Sequence, residues 1–384
     1  MPQGRFDALD SLRGLAALVV VVNHCLNLFP PFGGLGIGQS ASAPDPWVAA
    51  LLRSPLSLAW HGKGAVALFF VLSGFVLALP WFRVRGPSYG SFVTRRFCRI
   101  YLPYAVAVGL AMALAAALSG LRPPPLTQWF DTANWIEPIG WAAVLDHVLM
   151  LGAHNTFDNA VWSLNHEMRL SLVFPLVLLP VLRFGPAGAV VLAVALYGGA
   201  GAITHFAGWN GPPAEVAATL RFGTFFVLGA LLARYADALA VHRSPWSGPA
   251  AWCALLAGLF LLWGWQEPAV MALGSGLVIL AAVLPGGIRD GLLRPAPRAL
   301  GRISYSLYLI HLLVILSAVH LLYGRLPLPT IAAGAFAAAL PVAWVFHLWI
   351  EAPANRLGRC LAAPAPGAEE PVTTLGERGP RTPR

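Results

Sequence analysis

The chain alternates long apolar runs with short polar ones. Runs near residues 12–30, 64–82, 100–119, 162–183, 186–206, 216–234, 249–265, 268–285, 301–323 and 328–350 approach twenty residues each. At about 1.5 Å rise per residue, such runs suit helices crossing a hydrocarbon core about 30 Å thick. They do not alternate with period two, so a transmembrane barrel is a poor fit; helices satisfy their backbone hydrogen bonds internally. The pattern predicts an all-α fold, a polytopic transmembrane helical bundle of about ten spans with no sequence repeat. It predicts one integral-membrane domain over residues 1–361, then a Pro-, Gly-, Glu- and Arg-rich cytoplasmic tail over 362–384 with too few apolar residues to order itself.

The first run needs separating from a signal peptide. Asp7 and Asp10 precede it, His24 and Asn27 interrupt it, and no small-x-small cleavage site follows. It reads as a retained span starting at an Asp10 or Ser11 N-cap.

Composition supports a membrane protein, since 58% of the 384 residues are apolar and only 11% charged, against about a quarter charged in soluble domains. The formal charge of +9 sits in short loops, a topology signal that argues against nucleic acid as a partner. With the N-terminus in the cytoplasm, 19 of the 25 Lys and Arg residues fall inside, Arg53, Lys63, Arg122 and Arg325 outside, and Arg169 and Arg221 within spans. Both termini are therefore expected in the cytoplasm, with the spans in the cell membrane. Cys25, Cys98, Cys253 and Cys360 show no paired spacing and are expected to be free, buried small hydrophobes, without a disulfide framework or a metal.

Candidate chemistry lies in the ionisable groups that the spans must bury. Arg13 and His24 are eleven residues apart, about three helical turns, so both leave one helix face with roughly 16 Å between them along the axis. A guanidinium at the inner lipid boundary and an imidazole above it are expected to face a shared tunnel. Glu167, within Trp162-Ser163-Leu164-Asn165-His166-Glu167-Met168-Arg169 at the outer mouth of the fourth span, suits anchoring a hydroxyl or an imidazole; an ion pair with Arg169 or Arg221 is the plainer alternative. Arg95, Arg96 and Arg99 cluster after the second span. Arg96 and Arg99 share a helix face suited to gripping phosphates, though ordinary positive-inside arginines look similar. His205, His320 and His347 near span ends are expected to snorkel to the headgroups.

Two outer loops are long. Residues 31–63 are Gly-, Pro- and Ser-rich; residues 120–161 mix Trp129, Trp135 and Trp141 with Asp131, Glu137, Asp146, His147, His154 and Asp158. That mixture suits stacking on a sugar, and equally an interfacial aromatic belt. A short amphipathic helix is expected from Trp141 to Leu151. There is no nucleophile elbow, Walker loop or dinucleotide fingerprint.

Six motifs in order resemble the integral-membrane acyltransferase 3 family: Leu9-Asp10-Ser11-Leu12-Arg13-Gly14 with His24; Gly64 to Phe75; Arg95-Arg96-x-x-Arg99 before Pro103; Trp162-Ser163-Leu164 with Glu167; Leu300 to His311; and Glu351-Ala352-Pro353. Met168-Arg169-Leu170 stands where many members carry aromatic residues.

The resemblance implies transfer of an acyl group, most often acetyl, from cytoplasmic acyl-coenzyme A to an outer-face hydroxyl of a surface polysaccharide or lipid-linked sugar. A small secondary metabolite is the alternative acceptor. Acyl-coenzyme A would be co-substrate, with no metal, and the surroundings membrane lipid. Arg13, Arg95, Arg96 and Arg99 would hold the donor. His24 would act as general base, or carry the acyl group itself, with Glu167 orienting His24 or the acceptor. Ser73, Trp162, Tyr305 and His311 would line the substrate path. A proton-coupled transporter is the rival class; it lacks support from internal repeats or paired broken helices. A structural scaffold leaves Arg13 and His24 unexplained.

Overall fold

A computed structural model describes residues 7–33, 46–82, 86–118, 120–135, 139–152, 157–208, 210–241 and 244–362. The expected tail beyond 362, residues 34–45 of the first Gly-rich loop, and Glu137 and His154 lie outside the described residues. Those residues form sixteen α-helices: α1 (Asp7–Leu26), α2 (Pro46–Arg53), α3 (Gly62–Ala78), α4 (Tyr89–Arg96), α5 (Leu102–Leu118), α6 (Gln128–Ala133), α7 (Trp141–Leu149), α8 (Trp162–Leu172), α9 (Phe174–Ala207), α10 (Gly211–Val241), α11 (Ser247–Gly264), α12 (Pro268–Val283), α13 (Gly287–Leu292), α14 (Pro295–Leu322), α15 (Leu328–Phe346) and α16 (Ala352–Leu361).

Among the described residues, eight helical segments are long and apolar enough to cross a membrane, and α12 is a shorter apolar helix. Their outward side chains, among them Leu176, Val191, Phe206 and Trp349, are exposed large hydrophobics, which an aqueous surface would not tolerate in such number but lipid does. The protein is a polytopic helical membrane protein.

The expected fourth and fifth spans are built differently. The fourth breaks at Val173 between α8 and α9. Gly185, at φ 60° and ψ −135°, then reverses the chain within α9, a backbone conformation that glycine adopts without a Cβ penalty. The position of a Cβ on Gly188 would collide with the Pro180 carbonyl; in a straight helix the two residues would be about 12 Å apart. The first helix is already helical at Asp7, ahead of the expected cap at Asp10 or Ser11.

Two helix crossings fix the core. A Cβ on Gly14 would lie 2.6 Å from the Gly301 nitrogen, and one on Gly301 would lie 2.6 Å from the Asp10 carbonyl carbon. The backbones of α1 and α14 therefore touch, as small residues allow between membrane helices. Arg298 pairs with Asp7 at 2.9 Å near the starts of the same two helices. In the same way, Gly74 of α3 lies against the Phe226 backbone, and Gly229 of α10 against that of Val71.

A π-helical turn, Phe97–Tyr101, joins α4 to α5. Such turns widen the hydrogen-bond ladder and recur at functional sites. Here the Tyr305 hydroxyl of α14 donates to the Ile100 carbonyl at 2.8 Å. A second π-turn, His347–Glu351, joins α15 to α16. Its Glu351 is buried and accepts hydrogen bonds from Ser306 and, at 2.9 Å, from His347. His347 is thus held by protein, as is buried His320, bonded to the Leu121 carbonyl and Asn134; neither follows the snorkelling expectation. Exposed His205 is compatible with it. Cys25 and Cys98 are buried, whereas Cys253 and Cys360 are exposed, so only the first two are packed as small hydrophobes.

Candidate active site

The α1–α14 contact sets the register of the site. The two helices run parallel: Gly14 meets Gly301, and ten residues further along each, about 15 Å of rise, His24 meets His311. His24 Nδ1 and His311 Nε2 are 2.8 Å apart, with the ring centroids 5.0 Å apart and the planes 21° from parallel, an edge-to-edge arrangement that suits a nitrogen–nitrogen hydrogen bond. Trp129, brought in by α6, lies against His24 at 5.1 Å. α6 is docked there by Thr127, whose hydroxyl donates to the Asn27 carbonyl at 2.7 Å and accepts from the Phe130 N–H.

Arg13 and His24 face different chambers. The first, a cavity of about 60 Å³, is lined by Arg13, Arg96 and Arg99 together with Ser73, Glu167 and Tyr305. The second, of about 550 Å³, contains His24. Its aromatic walls are Trp60, Trp129, Trp162, Trp263, Phe222 and Phe225, and its polar groups include Asn23, Asn27, Asn159 and Gln266. Tyr308 lines both. Its hydroxyl donates to the Ala160 carbonyl at 2.7 Å and is bonded to Ser163 at 2.7 Å, which holds the ring between the two spaces. The expected single tunnel is therefore two chambers meeting at Tyr308.

Glu167 belongs to the cationic chamber. Its Oε1 accepts from Arg96 Nη2 at 2.9 Å and from Ser73 Oγ at 2.9 Å, while Arg96 also donates to Ser171. The carboxylate thus sits on Arg96 instead of on His24, Arg169 or Arg221. Arg169 pairs instead with Glu215 at 3.2 Å and holds the Leu151 carbonyl beyond α7. Arg221 donates to Thr204 and lines the aromatic chamber. Arg13 is 3.6 Å from the exposed Asp10 carboxylate and Arg96 pairs with Glu167, while Arg99 has no carboxylate partner among the described residues, so the chamber keeps an excess of positive charge. Arg95 is exposed and not part of the lining.

The structure therefore gathers Arg13, Arg96, Arg99, Ser73, Glu167 and Tyr305 on one side of Tyr308, and His24 and Trp162 on the other. His311 is fully buried behind His24 instead of lining a substrate path. Tyr308, Trp60 and Trp263 also line these chambers, and no sequence pattern marks them as site residues. A signal for the histidine pair was available, because Gly14 precedes His24, and Gly301 precedes His311, by the same ten positions. Chemically, the first chamber suits a polyanion, and the second offers stacking faces and a base to a hydroxyl-bearing molecule.

These features define a polytopic membrane protein with a cationic chamber and an aromatic, histidine-lined chamber on either side of one residue. The chain belongs to the acyltransferase 3 family, matching its acyltransferase domain over residues 6–348, and is a membrane-bound O-acyltransferase. It is 29% identical to "Acyltransferase MdmB" of Streptomyces mycarofaciens, covering 95% of this chain and 97% of that one. It is 27% identical to "Nodulation protein 10" of Rhizobium leguminosarum bv. viciae, covering 90% and 87%. It is 31% identical to "Protein 2 in picA locus" of Rhizobium radiobacter, over 45% of this chain and 82% of that one. No solved structure matches the chain. Membership in an enzyme family displaces the transporter and scaffold readings.

Proposed function

We propose that the protein moves a short acyl group, acetyl in the simplest case, from cytoplasmic acyl-coenzyme A to a hydroxyl of an extracytoplasmic sugar, on a surface polysaccharide or a lipid-linked precursor. The observation that carries this reading is the pair of unlike chambers meeting at Tyr308. The positive-inside bias of the loops puts the Arg13 side, and both termini, in the cytoplasm, where acyl-coenzyme A is available. Arg13, Arg96 and Arg99 bind its phosphates, with Glu167 and Ser73 holding the Arg96 fork in place. The thioester then reaches past Tyr308 towards His24.

On the far side, Trp129 and Trp162 offer faces to a sugar ring, and Asn23, Asn159 and Gln266 offer hydrogen bonds to its hydroxyls. His24 removes the proton from the attacking hydroxyl as its oxygen forms the new bond to the thioester carbonyl. The C–S bond breaks, and the coenzyme A thiolate takes that proton back from His24, leaving ester and free thiol.

The same six aromatic rings also suit a small secondary metabolite with an apolar body and a hydroxyl, which is the second reading. Label transfer from radiolabelled acetyl-coenzyme A in membranes tests the reaction. Incorporation into glycan, with mass loss at the glycan esters of a deletion strain, is expected; label confined to a small organic-soluble product selects the second reading. Undiminished turnover by a correctly inserted His24→Ala variant would remove His24 from the mechanism.

A further inference from the structure

The hydrogen-bond chain behind His24 ends on a backbone carbonyl, and that end decides where its protons sit. His311 Nδ1 lies 2.9 Å from the Leu307 carbonyl oxygen. A carbonyl can only accept, so Nδ1 of His311 carries the hydrogen. In a neutral His311, Nε2 is then a lone pair, and it faces His24 Nδ1 at 2.8 Å. His24 must donate from Nδ1, which leaves its Nε2 without a hydrogen. The ring presenting that nitrogen lines the aromatic chamber, whereas His311 is completely buried.

We propose that His311 is a positioning residue that locks His24 in the Nδ1–H tautomer, so that Nε2 faces the acceptor hydroxyl as the proton-accepting atom. This rests on the reading of His24 as general base. It differs from that reading in assigning a fixed proton arrangement to a residue that touches neither substrate. When Nε2 takes the hydroxyl proton, the charged ring keeps its Nδ1–H bond to His311, and the proton leaves from Nε2 to the departing thiolate. The relay thus orients and polarises without moving a proton along itself, the same division of labour by which a buried acceptor holds a catalytic imidazole in its reactive tautomer. The local sequence provides it cheaply: Leu307 and His311 are one helical turn apart on α14, so the carbonyl that fixes His311 is available from its own helix.

The test compares His311→Leu with His311→Gln, whose amide oxygen can stand where Nε2 stood and accept from His24. For His311→Leu, kcat is expected to fall at least about tenfold with the acyl-coenzyme A KM within about twofold, since a wrong tautomer harms the chemical step and leaves phosphate binding alone. His311→Gln should recover most of the loss. The direct readout is nitrogen-15 spectroscopy of labelled histidine in the intact protein in lipid, with the His24 signals assigned by their loss in His24→Ala. The wild type should show a protonated Nδ1 and a bare Nε2, and His311→Leu should mix the two forms. A protonated Nε2 in the wild type overturns the proposal even if His311→Leu fails to insert. So does His311→Leu with unchanged kcat and unchanged nitrogen signals while His24→Ala is dead. If His24→Ala itself keeps turnover, the general-base reading falls, and the tautomer proposal with it.

Discussion

The Arg96–Glu167 pair permits a quantitative separation of fold from function. Its N–O distance is 2.9 Å, and the two side chains are 10% and 19% exposed. Removing one partner of a fully buried pair costs about 3–5 kcal/mol. Here Glu167 keeps the Ser73 hydroxyl and a little access to the chamber, so Arg96→Met should cost about 2–3 kcal/mol of stability, somewhat less than that range. If Arg96 also holds donor phosphate, the variant loses a charge-assisted hydrogen bond of about 1.5–3 kcal/mol, or roughly ten- to hundredfold in donor affinity. Glu167→Gln keeps a carbonyl for both donors and removes the negative charge, so donor affinity should hold or improve. The double variant Arg96→Met/Glu167→Gln should recover part of the stability, by a coupling of about 0.5–3 kcal/mol, without recovering donor affinity. The assay is thermal unfolding of the detergent-solubilised protein alongside equilibrium binding of acyl-coenzyme A. If Arg96→Met lowers the melting temperature yet binds donor within twofold of wild type, or if the double variant binds donor normally, the guanidinium is a packing element and the phosphate assignment is wrong.

Three further outcomes are expected. Gly301→Val places methyl groups into the Asp10 backbone, already 2.6 Å from a Cβ at that position. It should lose about 1–3 kcal/mol as an overpacked contact and lose turnover with it, because the same crossing sets the His24–His311 register; a variant with both values at wild-type level would refute the register argument. Tyr308→Ala joins the two chambers and should raise acyl-coenzyme A hydrolysis in the absence of acceptor; an unchanged background rate would show that Tyr308 is not the partition. Burial pushes the Asp158 carboxyl up to about 7, against the pull of the Ala160 N–H. Between the ordinary aspartate pKa of about 4 and that value, the native state keeps a proton that the unfolded chain has released, so this contribution is complete at low pH and is lost as pH rises through the window. Asp158→Asn should therefore flatten the fall in melting temperature between pH 5 and pH 8, and an equally steep fall in the variant would contradict it.

The spans were legible because each is a local property: a run of apolar residues of bilayer length specifies a helix wherever it packs. The reversal at Gly185 was legible only as the gap between two runs, since a single glycine at positive φ leaves little trace in hydropathy. The spacing of Arg96 and Arg99 predicts a shared helix face, and both line one cavity although Arg99 lies within the π-turn. The eleven-residue spacing of Arg13 and His24 gave a common helix face. It gave no information on what the neighbouring helices would insert between them, and Tyr308 from α14 makes two rooms of one. The sequence around Glu167 leaves a hydroxyl, an imidazole, Arg169 or Arg221 as its partner, and Arg96 is selected by which helix α8 packs against.

By itself, then, the sequence determined that this is a helical membrane protein of the acyltransferase 3 family, because hydrophobic length and motif order are written along one chain. Only the tertiary structure decided that His24 meets His311, that Glu167 pairs with Arg96, and that Tyr308 stands between the cationic and the aromatic chamber. Those pairings join residues up to 287 positions apart, and they are set by where backbones can touch, at Gly14 against Gly301 and Gly74 against Phe226, a matter of packing between helices that no single stretch of sequence contains.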